Sequence, residues 1–403
     1  MRVGVPLLIL VYYATATQQF EYTPDSTFAT LGGLNRVPID SLWTALVALM
    51  ARLGADAVLT AKVFSLVLCS ASILLSFLIA NEMVRDPLLA LVAALAVAYQ
   101  AWLIQLGPAG SGEALALALT LGTIFFLLRN DYLLAVLCAG LASLVAWQAA
   151  GLLPVLLLDV FLNSIDKTRS AKIIISLVLV FAAVVLPWGL YCLYRGEAIL
   201  PTLEHIGRGG AVSLHFSFEI LLLMGTMFVG VVFLMLRDRL ALTVFLPVLL
   251  WIAIASFSGR AMLPLAVPLM IAYVFFLLQR IARSYPVRHL GYILALVLGT
   301  LGLAYNQLVV FPAVRSSTNI ALTEQDELKD IARWLRTNIE HDQPIAAPRQ
   351  FEGLLTFYSE RQIRDGRAPV VVTNAAILPG YHLAYSPPSL DSSLSHYRVW
   401  RKE

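Results

Sequence analysis

Charge is scarce in this chain. Only 13% of its 403 residues are Asp, Glu, Lys or Arg, where a soluble domain carries about 25%. Hydrophobic residues make up 59%, more apolar surface than one water-soluble core can bury, so lipid must solvate most of the chain. The net charge of +3 follows from loop chemistry and gives no reason to invoke nucleic acid. Cysteine is equally sparse. Cys69, Cys138 and Cys192 all fall inside apolar runs, without a disulfide framework or metal spacing, and read as small buried hydrophobes. The chain has no phosphate-binding glycine loop, nucleophile elbow or paired-cysteine motif, so chemistry on a soluble nucleotide has no support. It has no internal repeat and no low-complexity tract.

What the chain does have is apolar runs, at 3–17, 57–83, 87–106, 112–128, 132–148, 150–163, 172–194, 217–236, 239–257, 261–281 and 289–311. A helix needs about 20 residues to cross the hydrocarbon, and the runs predict about eleven spans. The pair over 132–163 reads as two steep helices or a broken hairpin. The first run, with Arg2 before it and Ala14-Thr15-Ala16 at its end, mimics a signal peptide. Cleaved or retained, it leaves Glu21 and Asp25 outside.

Lys and Arg in the short loops set the orientation. With the N-terminus inside, the inner loops hold Arg85, Arg129, Lys167, Arg169, Lys172, Arg237, Arg239, Arg280, Arg283 and Arg288. The outer loops hold only Arg36, Arg52, Arg195, Arg208 and Arg260. This places 18–56, 107–112, 195–216 and 257–260 outside, together with the chain beyond Pro312. Residues 40–53 are apolar but too short to span. Asp40 or Ser41 can cap a helix start there and Gly54 can end it, which predicts an interfacial helix on the outer leaflet.

After Pro312 the composition changes. Residues 316–403 hold most of the late charges and no spanning run. Thr323, followed by Glu324, Gln325, Asp326 and Glu327, predicts a helix start with acids on the positive dipole end. Leu328, Ile331, Ala332 and Leu335 follow at helical spacing. Segments 343–347, 370–373 and 397–400 are strand-like. The expected fold is therefore mainly α: a polytopic transmembrane domain over 1–315, with 18–56 as its first outer loop, and a small extracytoplasmic α/β domain over 316–403.

A few polar residues stand where they can carry chemistry. Asp25, in Phe20-Glu21-Tyr22-Thr23-Pro24-Asp25-Ser26, is a carboxylate at the water-facing edge of the first span. There it can accept the proton of an attacking hydroxyl. The plain alternative is a solvated acid capping the turn after Pro24. Glu21 has a similar but weaker claim, because it sits closer to the membrane. Lys62, near the outer end of the second long run, costs a few kcal/mol unless it snorkels or pairs. As a functional group it can neutralise a lipid-linked phosphate as that phosphate departs. Glu113 opens the fourth span after Gly107-Pro108-Ala109-Gly110-Ser111-Gly112. It suits the helix dipole as a structural cap and faces the same side as Asp25. Arg260, in Ser258-Gly259-Arg260-Ala261-Met262-Leu263-Pro264, and Arg208, in Ile206-Gly207-Arg208-Gly209-Gly210, are scarce outer guanidinium groups suited to phosphate or to lipid headgroups. His205 and His215 flank that second stretch without metal-like spacing. Glu219 and Asp159 are acids in apolar runs with no partner evident in the sequence.

The layout of these residues resembles the GT-C superfamily of polyprenyl-phosphate-sugar-dependent glycosyltransferases. The resemblance is to the branch that includes protein O-mannosyltransferases and the lipid A aminoarabinose transferase. The shared order is span, acidic loop with Thr23-Pro24-Asp25, interfacial helix, Lys62 in the second long span, Gly110-Ser111-Gly112-Glu113 opening the fourth, Gly259-Arg260-Ala261-Met262-Leu263-Pro264 opening a late one, and an outer α/β domain. The segments 331–338 and 355–361 also look like the soluble domains of such proteins. The resemblance implies Asp25 as the base, Glu113 as a second acid, and Lys62 and Arg260 on the donor phosphate, with Arg208 added on charge and Glu21 secondary. Many members have two adjacent acids in the first loop, whereas Ser26 follows Asp25 here. That weakens the case for a metal-dependent site, so a divalent metal is compatible with the pattern but not called for by it.

The function this implies is an inverting glycosyltransferase, multi-pass in the plasma (inner) membrane. It would move sugar from a polyprenyl-phosphate donor to a hydroxyl of an acceptor protein or glycolipid on the outer face, with membrane lipid as its other partner. A non-catalytic GT-C-like subunit scaffolding a complex is the alternative that the missing second acid favours. A transporter ranks last, because repeats and interrupted helices are not evident in the sequence.

Overall fold

The structure is a computed structural model. It describes residues 4–16, 42–98, 100–163, 167–195, 311–340, 343–348, 351–360, 363–364, 368–374, 378–387 and 397–402, with the isolated positions 293, 297, 304 and 308. The expected spans over 217–236, 239–257, 261–281 and 289–311 lie essentially outside the described residues.

Helix α1 is Gly4–Ala16, α2 is Leu42–Arg52 and α3 is Ala57–Val84. The ends of α3 are written in the sequence. Asp56 caps its start, accepting the Leu59 N–H at 2.7 Å. Arg85 ends it in a left-handed conformation (φ 53°), with its N–H on the Asn81 carbonyl. The helix is long and apolar enough to cross a membrane, with a mean hydropathy of 2.5. Two of its buried hydroxyls are spent on its own backbone: Ser72 donates to Leu68 O and Ser76 to Ser72 O. Water is not needed to satisfy them, as a lipid environment demands.

The run over 87–106 does not make one straight helix. It divides into α4, Pro87–Ala98, and α5, Ala101–Ala109, bent by 61° across the break. Two side chains from other helices hold the second piece. Tyr12 on α1 donates to Leu103 O at 2.9 Å, and Ser65 on α3 donates to Leu106 O at 2.7 Å. Gly110, at φ +70°, then ends α5. Close approach is also built in at Gly107, where a Cβ would stand 2.6 Å from the Tyr12 hydroxyl and 3.0 Å from Leu66 Cδ1. Because Tyr12 is tethered to Leu103, it cannot swing away. Gly107→Ala should therefore destabilise the protein by about 1–3 kcal/mol as an overpacked core. Thermal unfolding in detergent checks this, and an unchanged midpoint would show that Tyr12 yields.

Helix α6, Glu113–Leu128, packs along α3. Then α7, Tyr132–Ser143, and α8, Leu152–Asn163, are joined across a 3-10 turn at Trp147–Gly151. They form a hairpin, since Tyr132 at its start donates to Asp159 near its end at 3.0 Å. Asp159 thus gains the partner that the sequence did not reveal. Helix α9, Lys167–Arg195, contains a second stretch, Thr168–Tyr191, able to cross a membrane by length and composition. Among the described residues two helices pass that test, or three if α4 and α5 count as one bent span. Helices α1, α6, α7 and α8, with 13, 16, 12 and 12 residues, are shorter than a straight span requires.

Helix α10, Phe311–Asn338, opens the C-terminal unit. It corrects the expected start at Thr323, which lies well inside it. Pro312 falls in the first turn, where its missing N–H is no loss, and nothing from 313 to 322 breaks a helix. The 315/316 position also lies inside α10. Five short strands follow in the spatial order β2-β1-β3-β5-β4. They are β1 Ile345–Ala346, β2 Ile363–Arg364, β3 Val370–Thr373, β4 Tyr381–Tyr385 and β5 Arg398–Lys402. β1 is parallel to β2 and β3, and β5 is antiparallel to β3 and β4. One helix, α11 at Glu352–Ser359, lies between β1 and β2 in sequence. The buried stripe Leu328, Ile331 and Leu335 of α10 joins Ile345, Val370, Val372 and Val399 in one core. The expected strands at 343–347, 370–373 and 397–400 are present. β2 and β4 are additions, one only two residues long and the other largely exposed.

Candidate functional site

Several elements converge at the N-terminal end of α3. Lys62 sits one turn into α3 and is only 5% exposed. Against it lies the turn that follows α5. A Cβ on Gly110 would meet the Lys62 backbone nitrogen at 3.2 Å and Ala61 at 3.3 Å. A Cβ on Gly112 would lie 3.0 Å from Trp43 of α2. The glycines of Gly110-Ser111-Gly112 therefore let this turn seat between α2 and α3, which no larger residue would allow without displacement. Glu113, half-buried, begins α6 directly after that turn and lies within electrostatic reach of Cys69, two turns below Lys62 on α3. Tyr12 of α1 is buried nearby, with its hydroxyl on Leu103 O at 2.9 Å.

Two of the residues singled out in the sequence are thus brought to one place, Lys62 and Glu113. Asp25, Glu21, Arg208 and Arg260 lie outside the described residues, as do His205, His215 and Glu219. The loop that carries Asp25 leaves α1 at Ala16, which is fully buried, and rejoins at Leu42, whose N–H donates to Leu144 O at 3.1 Å. Tyr12, one turn before Ala16, packs at Gly107, so α1 ends on the same side of the bundle as the glycine turn. Helix α2 follows the predicted interfacial segment closely. Trp43, Val47 and Ala48 are buried, Leu46, Leu49 and Leu53 are exposed, and Gly54 ends it at φ +89°.

The C-terminal unit meets the bundle at this same end. Phe357 of α11 packs against both the helical core and the C-terminal core, and Val58 of α3, one turn before Lys62, is shared in the same way. This contact is not legible in the sequence, because an aromatic in a short helix reads equally well as local core. The opposite end of the bundle gathers basic groups: Arg85 at the end of α3, Arg129 paired with Glu82 at 3.1 Å, and Arg169 and Lys172 in the first turns of α9. These four are among the cations of the expected inner loops. Among the described residues, no three His, Cys, Asp or Glu side chains gather as a metal site.

A buried cation and a partly buried carboxylate, beside a close-packed glycine turn and near the C-terminal unit, can bind an anionic group and orient a neutral one. Two solved structures share this architecture. ArnT from Cupriavidus metallidurans, bound to undecaprenyl phosphate, superposes with a TM-score of 0.58 at 12% identity, covering 99% of this chain and 97% of that one. The Archaeoglobus fulgidus oligosaccharyltransferase, in complex with Zn and sulfate, superposes with a TM-score of 0.54 at 11% identity over 88% of this chain. The chain spans 62% of the archaeal protein's length. Both are GT-C superfamily members, and what this chain shares with them is the fold. No protein-family model matches the chain, and no curated protein matches it in sequence.

Proposed function

We propose that this protein is an inverting glycosyltransferase of the plasma membrane, moving a sugar from a polyprenyl-phosphate donor to an acceptor hydroxyl on the outer face. The observation that carries the reading is Lys62. A lysine 5% exposed in an apolar helix is costly to keep. It stands beside the glycine turn, at the end of α3 that meets the C-terminal unit. The end-to-end likeness to a transferase bound to undecaprenyl phosphate supports a lipid-borne phosphate as the anion it serves.

In this reading the acceptor oxygen attacks the anomeric carbon from the side opposite the phosphate. The carbon–oxygen bond to phosphate breaks, and its electron pair leaves with the polyprenyl phosphate. Asp25 takes the acceptor's proton. Lys62, with Arg208 and Arg260, neutralises the departing phosphate. Glu113 acts as the second carboxylate on the acceptor side. The membrane unit, residues 1–315, holds the lipid tail, and the unit from 316 onward covers the site from outside. A purified preparation in nanodiscs, given a panel of polyprenyl-phosphate sugars and an extract of membrane acceptors, should release free polyprenyl phosphate and glycosylate an acceptor. Absence of turnover with the whole panel, in protein that still binds the lipid, would favour the non-catalytic scaffold instead.

The orientation has its own test. Cysteines placed at the exposed Asn374 and the exposed Arg169 should differ in intact cells. An impermeant thiol reagent should reach position 374 and spare position 169 until the membrane is opened. The reverse pattern would move the site to the other face and remove the proposed acceptor side.

A further inference from the structure

We infer that Ser111 is a donor-binding residue whose hydroxyl takes a phosphate oxygen of the lipid-linked donor beside Lys62. This rests on the reading of the site given above. The Ser111 hydroxyl oxygen is shielded from solvent and has no hydrogen-bond partner among the described residues. Buried hydroxyls in this bundle are otherwise regularly paired: Ser65 with Leu106 O, Ser76 with Ser72 O, Thr123 with Leu119 O and Ser143 with Ala139 O. A hydroxyl left unpaired in such a setting costs the full desolvation penalty of the group, unless a ligand completes it.

A serine just before a helix usually caps it, and here that use is already filled by the backbone. The N–H groups of Leu115 and Ala116 both go to Gly112 O at 3.0 Å, and the Ala114 N–H faces Ser111 O at 3.4 Å. No side chain caps α6. Thr120, two turns along α6 in the apolar interior, is likewise unpaired, but no cation stands beside it. Ser111 differs because its neighbour Gly110 is pressed against the backbone of Lys62. The turn that carries the hydroxyl is thereby seated against the α3 backbone at the residue that carries the cation. A phosphate offers several acceptor oxygens, so one can take Lys62 while another takes a neutral donor.

The test is binding of undecaprenyl phosphate to the full chain in nanodiscs, with steady-state transfer as a second readout. Ser111→Ala should weaken binding by roughly tenfold to a hundredfold, the usual loss for a hydrogen bond to a charged group. The donor KM should rise in step, with kcat changed much less and thermal stability unchanged or slightly improved. Ser111→Thr, which keeps the hydroxyl, should recover most of the affinity. Equal affinity of wild type and Ser111→Ala would overturn the inference while leaving the glycosyltransferase reading intact. Wild type that fails to bind the lipid would overturn both. Inorganic phosphate in excess should compete poorly. Ready displacement by it would overturn the assignment to a lipid-borne phosphate.

Discussion

Asp25→Asn should reduce sugar transfer by about 10²–10⁴-fold, the range that a positioned general base contributes. The substitution keeps the size and hydrogen-bonding reach of the side chain but removes its ability to take a proton at neutral pH. Donor binding should change little, because the phosphate is assigned to Lys62 and the arginines. Glu21→Gln should matter far less, since Glu21 lies nearer the first span. A transfer assay on purified wild type and both variants, with membrane insertion checked for each, decides between them. Full activity in Asp25→Asn would remove this residue from the mechanism and return the first loop to a solvated turn after Pro24.

The two acids also separate by their expected kinetics. If Asp25 is the base, its loss should appear in kcat and in kcat/KM alike, because the interaction exists only as the proton moves. If Glu113 orients the acceptor, Glu113→Gln should act mainly on the acceptor KM and leave the donor KM alone. A loss confined to stability in Glu113→Gln would mark it as the dipole-favoured cap of α6 and nothing more.

How far the sequence carries the fold depends on whether the cause of each element is local. Helix α3 is readable in full, because its cap at Asp56 and its apolar length are properties of one segment. The hairpin of α7 and α8 is half-readable. The chain announces an interruption near 147–151, but the pairing of Asp159 with Tyr132 depends on how the two arms fold back. The break between α4 and α5 is not readable. Residues 87–106 carry only Gln100 and Gln105 among apolar and aromatic neighbours, too weak a signal for a bend, and the groups that hold α5 at its angle, Tyr12 and Ser65, lie on other helices. Thr323 followed by acids has the composition of a helix start, yet α10 runs through it, since start signals do not stop a helix that is already under way.

The site divides in the same manner. Lys62 stands out in sequence because a charge in an apolar run is costly wherever that run folds, and Glu113 because it follows a glycine-rich turn. Ser111 does not stand out, because its interest lies in a bond that it fails to make. Phe357 is equally silent until its contact with the far end of the chain is known. The long-range half of the site is thus the half that periodicity and composition cannot supply.

Lys62→Met should lower turnover by about 10²–10³-fold, the loss seen when one preorganised group stabilising a developing negative charge is removed. Methionine keeps the unbranched stem and its packing in α3 while deleting the ammonium. The effect on folding runs opposite to that on activity. A lysine costs about 2.5–3.5 kcal/mol at the centre of a spanning helix on insertion scales and less one turn from its end, where Lys62 stands, so the variant should insert and resist heat at least as well as wild type. A purely structural Lys62, kept to satisfy a buried acid, predicts the reverse. Stranding that acid should cost about 3–5 kcal/mol and lower the thermal midpoint, with donor binding failing only as the fold fails. Measuring undecaprenyl phosphate binding and thermal unfolding on the same nanodisc sample therefore separates the two accounts. Weak binding in a fully stable Lys62→Met protein assigns the cation to the donor. Intact binding in a destabilised one would make Lys62 a strut of the helix bundle.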